Sequence, residues 1–277
     1  MSGDRIDSPL YVNGEWHTAE GDDAIPVVDP ARERELASVP TATPADVSEA
    51  TAAARTAQSD WADRPAKQRG DLLRDVAELL EDNVHSLAET LVDEQGKTRS
   101  VAEYEIAAAA DIARYMSEWD RRIEGDVVPG SQRRQSISLL RKPYGVVAGI
   151  IPWNFPISVF VRKFAPALVT GNTVVAKPSE LTPLTTLELV ELIDSEVDLP
   201  PGVLNVVTGD GTTGAALVED ADVDYVTMTG NVDTGKAIMR SAADDLTRVS
   251  LELGGKAPAI VCPDADIESS VEHVVAS

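Results

Sequence analysis

Between Pro143 and Leu253 short β-branched runs alternate with helix-like ones, and that alternation narrows the fold more than any other feature of the chain. The strand-like runs are GVVAGII, NTVVAK, VLNVV, VDYVTM and RVSLEL, and the spacing predicts helices near 157–169, 183–195, 212–219 and 233–243. This is the pattern of an α/β fold, a parallel sheet with helices on both faces. Such sheets take ligands at the carboxyl ends of their strands, so the strand-to-helix turns are where chemistry is to be sought.

Upstream the pattern differs. Residues 1–40 read as an arm of short strands and turns, with an Asn-Gly hairpin signal in YVNGEW and with Pro30 and Pro40 around a polar turn. From Pro44 the periodicity is helical. In KQRGDLLRDVAELLEDNVHSLAETLVDEQGK, Leu72, Val76, Leu79, Leu80, Leu87 and Leu91 recur at three- and four-residue spacings until Gly96 ends the run. A second helix places Val101, Tyr104, Ala108, Ile112, Tyr115 and Trp119 on one face, and that face is expected to be buried core. After GDVVPGSQ, the segment RRQSISLLRK reads as a strand that leaves the main body and offers a pairing edge.

Composition excludes several classes of partner. The 24 basic and 47 acidic residues give a net charge of −23, which repels nucleic acid and anionic lipid. Lysines number 7 against 17 arginines. In molar salt the Debye length falls to about 3 Å, so a self-repelling acidic coat becomes harmless there, and a salt-loving source is expected. No stretch approaches the roughly 18 apolar residues of a membrane span, and MSGDRIDSPLYVNGEW has no apolar signal core, so the expected location is the cytoplasm. The single cysteine, Cys262, excludes an intrachain disulfide. His17, His85 and His273 have no metal-ligand spacing, and no metal is expected.

Five motifs could carry chemistry. GDGTTG, residues 209–214, follows VLNVV and opens a helix, as a pyrophosphate loop would, although a tight turn without a ligand fits equally. Residues 230–235, GNVDTG, stand in the same context and compete with it. In KPSE, Lys177 can donate to ribose or phosphate oxygens and Glu180 can accept from ribose hydroxyls; the plainer reading is a solvated pair. An acid there disfavours a 2′-phosphate and so favours NAD over NADP. In PWNFP two prolines pin Trp153, Asn154 and Phe155, and the Asn154 amide could donate to a developing oxyanion or merely satisfy its own turn. LELGGK ends a strand in Glu252, a candidate general base.

Taken together, IIPWNFP, NTVVAKPSELTPL, LPPGVLNVVTGDG, the TG at 229–230, and LELGGKAP followed by PDADI resemble the aldehyde dehydrogenase superfamily, from YVNGEW to the last residue. The resemblance implies a Rossmann-like cofactor domain over 143–253, an N-terminal arm with helices over 1–123, an excursion strand of the oligomerisation region over 124–142, and the start of a catalytic domain over 254–277. It moves the diphosphate from GDGTTG toward Trp153 and the Gly230 loop. The implied reaction is oxidation of an aldehyde to an acid with NAD, NADP being the alternative: a cysteine thiolate attacks the carbonyl, hydride passes to the nucleotide, and a glutamate-activated water hydrolyses the thioester. Asn154 and Glu252 would be the catalytic residues. Trp153, Lys177, Ser179, Glu180, Gly211, Gly230, Asn231 and Leu253 would contact the cofactor.

The chain departs from that pattern. The family's nucleophile would lie beyond Ser277, so the 277 residues alone are expected to be inactive. Cys262 is read as buried packing in a strand, not as a substitute thiol. Asn231 stands where the family more often has Ser, which keeps a small polar group at a helix start. EQGKTRSVAEYEIAAAADIARYM is loosely similar to semialdehyde-oxidising members, and the complete protein would be a homodimer or homotetramer. The alternative is a non-catalytic module that binds nucleotide or associates with subunits.

Overall fold

The computed structural model describes residues 10–276; the opening MSGDRIDSP, part of the stretch read above as lacking a signal core, lies outside them. The Asn-Gly signal does form a hairpin. Strands β1 (Leu10–Val12) and β2 (Glu15–His17) pair antiparallel across Asn13 at φ 55° and Gly14 at φ 78°. Two consecutive left-handed residues give a two-residue turn the twist of its strands. A separate antiparallel ladder follows, β3 (Ala24–Asp29) with β4 (Arg34–Pro40).

Four helices come next: α1 (Pro44–Asp63), α2 (Ala66–Asp82), α3 (Val84–Gln95) and α4 (Arg99–Ser117). The run read as one helix over 67–97 is therefore two. The break falls at Asn83, whose side-chain amide donates to the Leu79 carbonyl at 2.9 Å and turns the chain before α3. Gly96, left-handed at φ 81°, ends α3 as expected.

The buried face of α4 is not the expected one. Ala102, Glu105, Ile106, Ala109, Ala110 and Ala113 are buried, whereas Val101, Tyr104 and Tyr115 are exposed, Tyr104 at 71%. The helix packs against α2, α3 and α5 (Pro156–Val169), and small side chains let those backbones approach closely where aromatic ones would hold them apart. Only Ile112 and Trp119 of the expected stripe pack against the core.

Strands β5 (Asp126–Pro129) and β6 (Ser136–Leu139) form an antiparallel hairpin with every residue exposed. The central sheet then begins with β7 (Val146–Ile150). It continues through β8 (Thr173–Lys177), α6 (Leu184–Glu196), β9 (Leu204–Val206), α7 (Gly211–Glu219), β10 (Tyr225–Gly230), α8 (Val232–Asp245) and β11 (Arg248–Leu253). Helix ends fall within a residue or two of the predicted ones. The strand order is β11-β10-β7-β8-β9-β1-β2, parallel from β11 to β9, with the N-terminal hairpin added antiparallel at β9.

Alternate residues of the central strands feed two cores. Val147, Val174 and Ala176 pack beneath α5 and α6, while Val146, Ala148 and Val175 pack beneath α1, α7 and α8. Strands covered on both faces are apolar throughout, which is why these runs lack an inside–outside alternation.

Residues 254–266 have no regular strand, and α9 (Ile267–Ala276) follows. This corrects the reading of Cys262. The apolar run AIVC is not a buried strand; Ile260 is 81% exposed and Cys262 is exposed too, since no described element covers the segment. Among the described residues no helix is long and apolar enough to cross a membrane, and no group of His, Cys, Asp and Glu could hold a metal ion.

Candidate functional site

Strand β7 feeds β8 and β9 on one side, while β10 and β11 lie on the other, so the connections leaving β7 and β10 diverge at their carboxyl ends. A crevice opens where strand order reverses in this way. Here it is a cleft of about 1150 Å³, and all ten residues singled out from the sequence line it. Trp153 and Asn154 come from the turn after β7. Lys177 ends β8, with Ser179 and Glu180 just beyond; Gly211 opens α7; Gly230 and Asn231 join β10 to α8. Glu252 and Leu253 close β11, paired in register with Thr229 and Gly230.

Two helices begin at the cleft, and they are capped differently. The Asp210 carboxylate caps α7, accepting from the Thr212 amide and the Thr212 hydroxyl, each at 2.7 Å. The Thr212 side chain foremost, then backbone amides and the Lys177 charge, hold the Asp210 carboxyl below its ordinary value. The start of α7 therefore already carries its own negative charge. The neutral Asn231 caps α8, accepting from the Thr234 amide at 2.8 Å. At α7 the cap itself is a like charge to an incoming anion, whereas at α8 the cap is neutral and the first-turn acid, Asp233, is exposed and lies 3.5 Å from Lys236.

Lys177 is not a solvated side chain. It is buried at 4% exposure, and its ammonium donates to the carbonyls of Pro178, at 3.0 Å, and Gly209. Burial pushes its amine down, against the charges of Glu180 and Asp210. Glu180 lies 3.9 Å away with its carboxylate partly exposed, and the buried Ser179 accepts from the Leu181 amide at 3.3 Å. A Cβ on Gly211 would meet no atom within 4 Å, whereas one on Gly214 would touch the Lys177 side chain at 3.5 Å. The partly exposed Glu180 carboxylate can accept from hydroxyls, and the neutrally capped α8 start, elsewhere on the cleft, can receive an anion.

At the other end of the cleft Trp153 is 53% exposed, and Pro156 occupies the first turn of α5. The sequence reading missed Lys163. Its side chain is buried in the cleft wall and donates to the Thr227 hydroxyl at 3.1 Å. Burial pushes its amine down to about 8, opposed by the charge of Glu252. A signal was present: in ISVFVRKFAPALV a cation stands between Val159, Phe160, Phe164 and Ala167, on the stripe that must be buried. Cys262 is not among the described residues lining the cleft.

A model described as the aldehyde dehydrogenase family matches residues 16–277. The chain is 42% identical to lactaldehyde dehydrogenase of Escherichia coli (strain K12) over 98% of its own length and 57% of that protein's. It is 40% identical to an NADP(+) succinate-semialdehyde dehydrogenase of the same organism, over 96% and 55%. Among solved structures, 3,6-anhydro-L-galactose dehydrogenase in complex with NADP superposes with a TM-score of 0.91 at 44% identity, over 95% of this chain and 55% of that one. The chain thus spans a little more than half the length of the relatives it matches.

Proposed function

The chain belongs to the aldehyde dehydrogenase family, and we propose that it supplies the nucleotide site, the oxyanion donor and the general base for oxidation of an aldehyde to a carboxylic acid. The observation that carries this reading is the convergence of these ten residues, from five strand ends, on one cleft at the point where strand order reverses. A bound nicotinamide supplies the hydride acceptor. Trp153, Lys177, Ser179, Glu180, Gly211, Gly230, Asn231 and Leu253 bind and orient the nucleotide, with Glu180 on the ribose hydroxyls and the α8 start on the diphosphate. The acid favours NAD over NADP through repulsion of a 2′-phosphate.

Asn154 donates its side-chain amide to the oxygen that becomes negative when a thiolate adds to the aldehyde carbonyl. Glu252 takes a proton from the water that releases the acid. In this assignment residues 143–253 are the cofactor domain, 1–123 its packing arm and helices, 124–142 the oligomerisation excursion and 254–277 the beginning of a catalytic domain. A semialdehyde is the favoured substrate class, a homo-oligomer the favoured assembly and the cytoplasm the favoured location.

The test has two parts. The 277-residue chain is titrated with NAD and NADP while Trp153 fluorescence is followed: quenching with tighter NAD binding is expected, and a flat response overturns the binding role. In the enzyme complete with its nucleophile, Glu252→Gln is expected to leave the first hydride transfer intact and to slow steady turnover by about 100-fold or more; full turnover removes Glu252 from the mechanism. The 277 residues alone are expected to form no NADH with any aldehyde, and formation abolished by Cys262→Ala would overturn that expectation.

A further inference from the structure

The turn that presents Asn154 carries no cap of its own. Helix α5 starts at Pro156 without any side-chain hydrogen bond from its N-terminal residue, although its first N–H groups lie buried. The partner comes from another layer. Glu105, on the buried face of α4, reaches across so that one carboxylate oxygen accepts from the Ile157 amide at 3.0 Å and the Ser158 amide at 3.2 Å. Its other oxygen pairs with the Lys97 ammonium. Lys97, just past the α3 C-terminus, is itself buried, with its side chain 8% exposed. From there it donates to the backbone carbonyl of Asn154 at 2.9 Å and lies 4.3 Å from the centre of the Phe155 ring. Two side chains thus hold residues 154 and 155 at the end of the turn after β7 and residues 157 and 158 in the first turn of α5.

We propose that Lys97 and Glu105 are positioning residues for the oxyanion donor. They act through Asn154 and touch no substrate. A buried ion pair is a weak device for stability but a specific one for geometry, because each charge is costly unless its partner and its remaining hydrogen bonds are in place. Here those remaining bonds go to the Asn154 carbonyl and to the first amides of the helix that follows it. A side chain that must meet a developing charge within a few tenths of an ångström needs its backbone fixed, and misplacement by about 1 Å costs on the order of 100-fold in rate. The catalytic part of this inference rests on the reading of Asn154 as the oxyanion donor, and the experiment separates the two.

In the 277-residue chain, amide hydrogen exchange is followed for the 153–160 segment in the parent, in Lys97→Met and in the Lys97→Met/Glu105→Gln double variant. The double variant leaves no lone buried charge and keeps an acceptor for the helix amides, so it isolates loss of the grip on Asn154. Exchange of the Ile157 and Ser158 amides, whose acceptor Lys97 no longer holds in place, is expected to be at least about tenfold faster in both variants, with the melting transition cooperative. Unchanged exchange in the double variant overturns the proposal. In the enzyme complete with its nucleophile, Lys97→Met should lower kcat by about 100-fold while the dissociation constant for NAD is unchanged. It should cost little further in an Asn154→Ala background. Additive losses overturn the positioning role. If Asn154→Ala leaves kcat intact, the oxyanion reading fails, and hydrogen exchange alone judges the grip.

Discussion

Helices α5 and α6 begin beneath the helical layer, and α7 and α8 begin at the cleft; the two pairs solve the same problem in opposite ways. The interior pair has no cap from its own sequence. Glu105 satisfies the start of α5, and Glu94, from α3, satisfies α6 by accepting from the Leu184 amide at 2.7 Å, the Thr185 amide at 3.0 Å and the Thr185 hydroxyl. The cleft pair is capped by neighbours in sequence, the half-buried Asp210 and the exposed Asn231. A helix start that must stay fixed is held by a buried carboxylate from a separate layer. A start that must receive a ligand keeps its cap small, local and open to solvent.

The comparison can be broken most forcefully at Glu105. Glu105→Ala leaves the Lys97 ammonium buried without its partner and the α5 amides uncapped, and a stability loss of about 3–5 kcal/mol is expected from denaturant unfolding. A loss comparable to that of Asp210→Ala would mean the interior caps are not special. Next in size is a pH effect at Glu94, whose carboxyl is pushed up to about 7 by burial, against the pull of its Thr185 and Leu184 hydrogen bonds. A carboxyl raised in the folded state contributes stability in full below its ordinary value of 4.5 and loses it as pH rises through about 7. Relative to Glu94→Gln, the parent should therefore lose roughly 3 kcal/mol between about pH 4.5 and pH 8. A flat difference would show that the three donors outweigh burial.

The cleft pair yields smaller effects, and these separate α7 from α8. Asn231→Asp places a charge where the diphosphate is assigned and should weaken NAD binding roughly tenfold. Asp210→Asn should cost about 1 kcal/mol of stability or less and change NAD affinity by less than about threefold. The reverse ranking would return the diphosphate to GDGTTG. Smallest is the influence of salt on these mutational differences. Molar KCl should raise the unfolding midpoint of this strongly acidic chain, shrink the cost of Asp210→Asn, and leave the cost of Glu105→Ala within about 0.5 kcal/mol, because buried pairs are screened far less than exposed ones. Equal stability in low and molar salt would remove the expected tie to a saline environment.

The parallel sheet and its helices were legible because each strand is covered on both faces and so reads as an unbroken apolar run between glycine and proline punctuation. The cleft residues were legible because they sit at strand ends, where motif and fold coincide. What escaped lies in the helical layer. A Leu or a Tyr at helical spacing signals a buried face, but the face of α4 that is buried is built from Ala102, Ala109, Ala110 and Ala113, whose small size gives a weak hydrophobic signal and a close approach. Glu94 and Glu105 were invisible for a related reason: a charge in a helix reads as solvated unless its distant partner is known, and the amides they cap are 52 to 91 residues away along the chain, as Lys97 lies 57 residues from the carbonyl it holds. Cys262 misled in the opposite direction, since an apolar run states a preference for burial and not the presence of a cover.

Among the described residues strand β11 pairs with β10 alone, so Glu252 rides on an outer strand, whereas Trp153 and Asn154 leave β7, which is paired on both sides. Local opening becomes easier from the middle of a sheet toward its edge. The Glu252 carboxylate is therefore mounted on a strand that opens early, and Asn154 on one that opens later. On warming, amide exchange in β11 of the 277-residue chain should therefore quicken before exchange in β7 does.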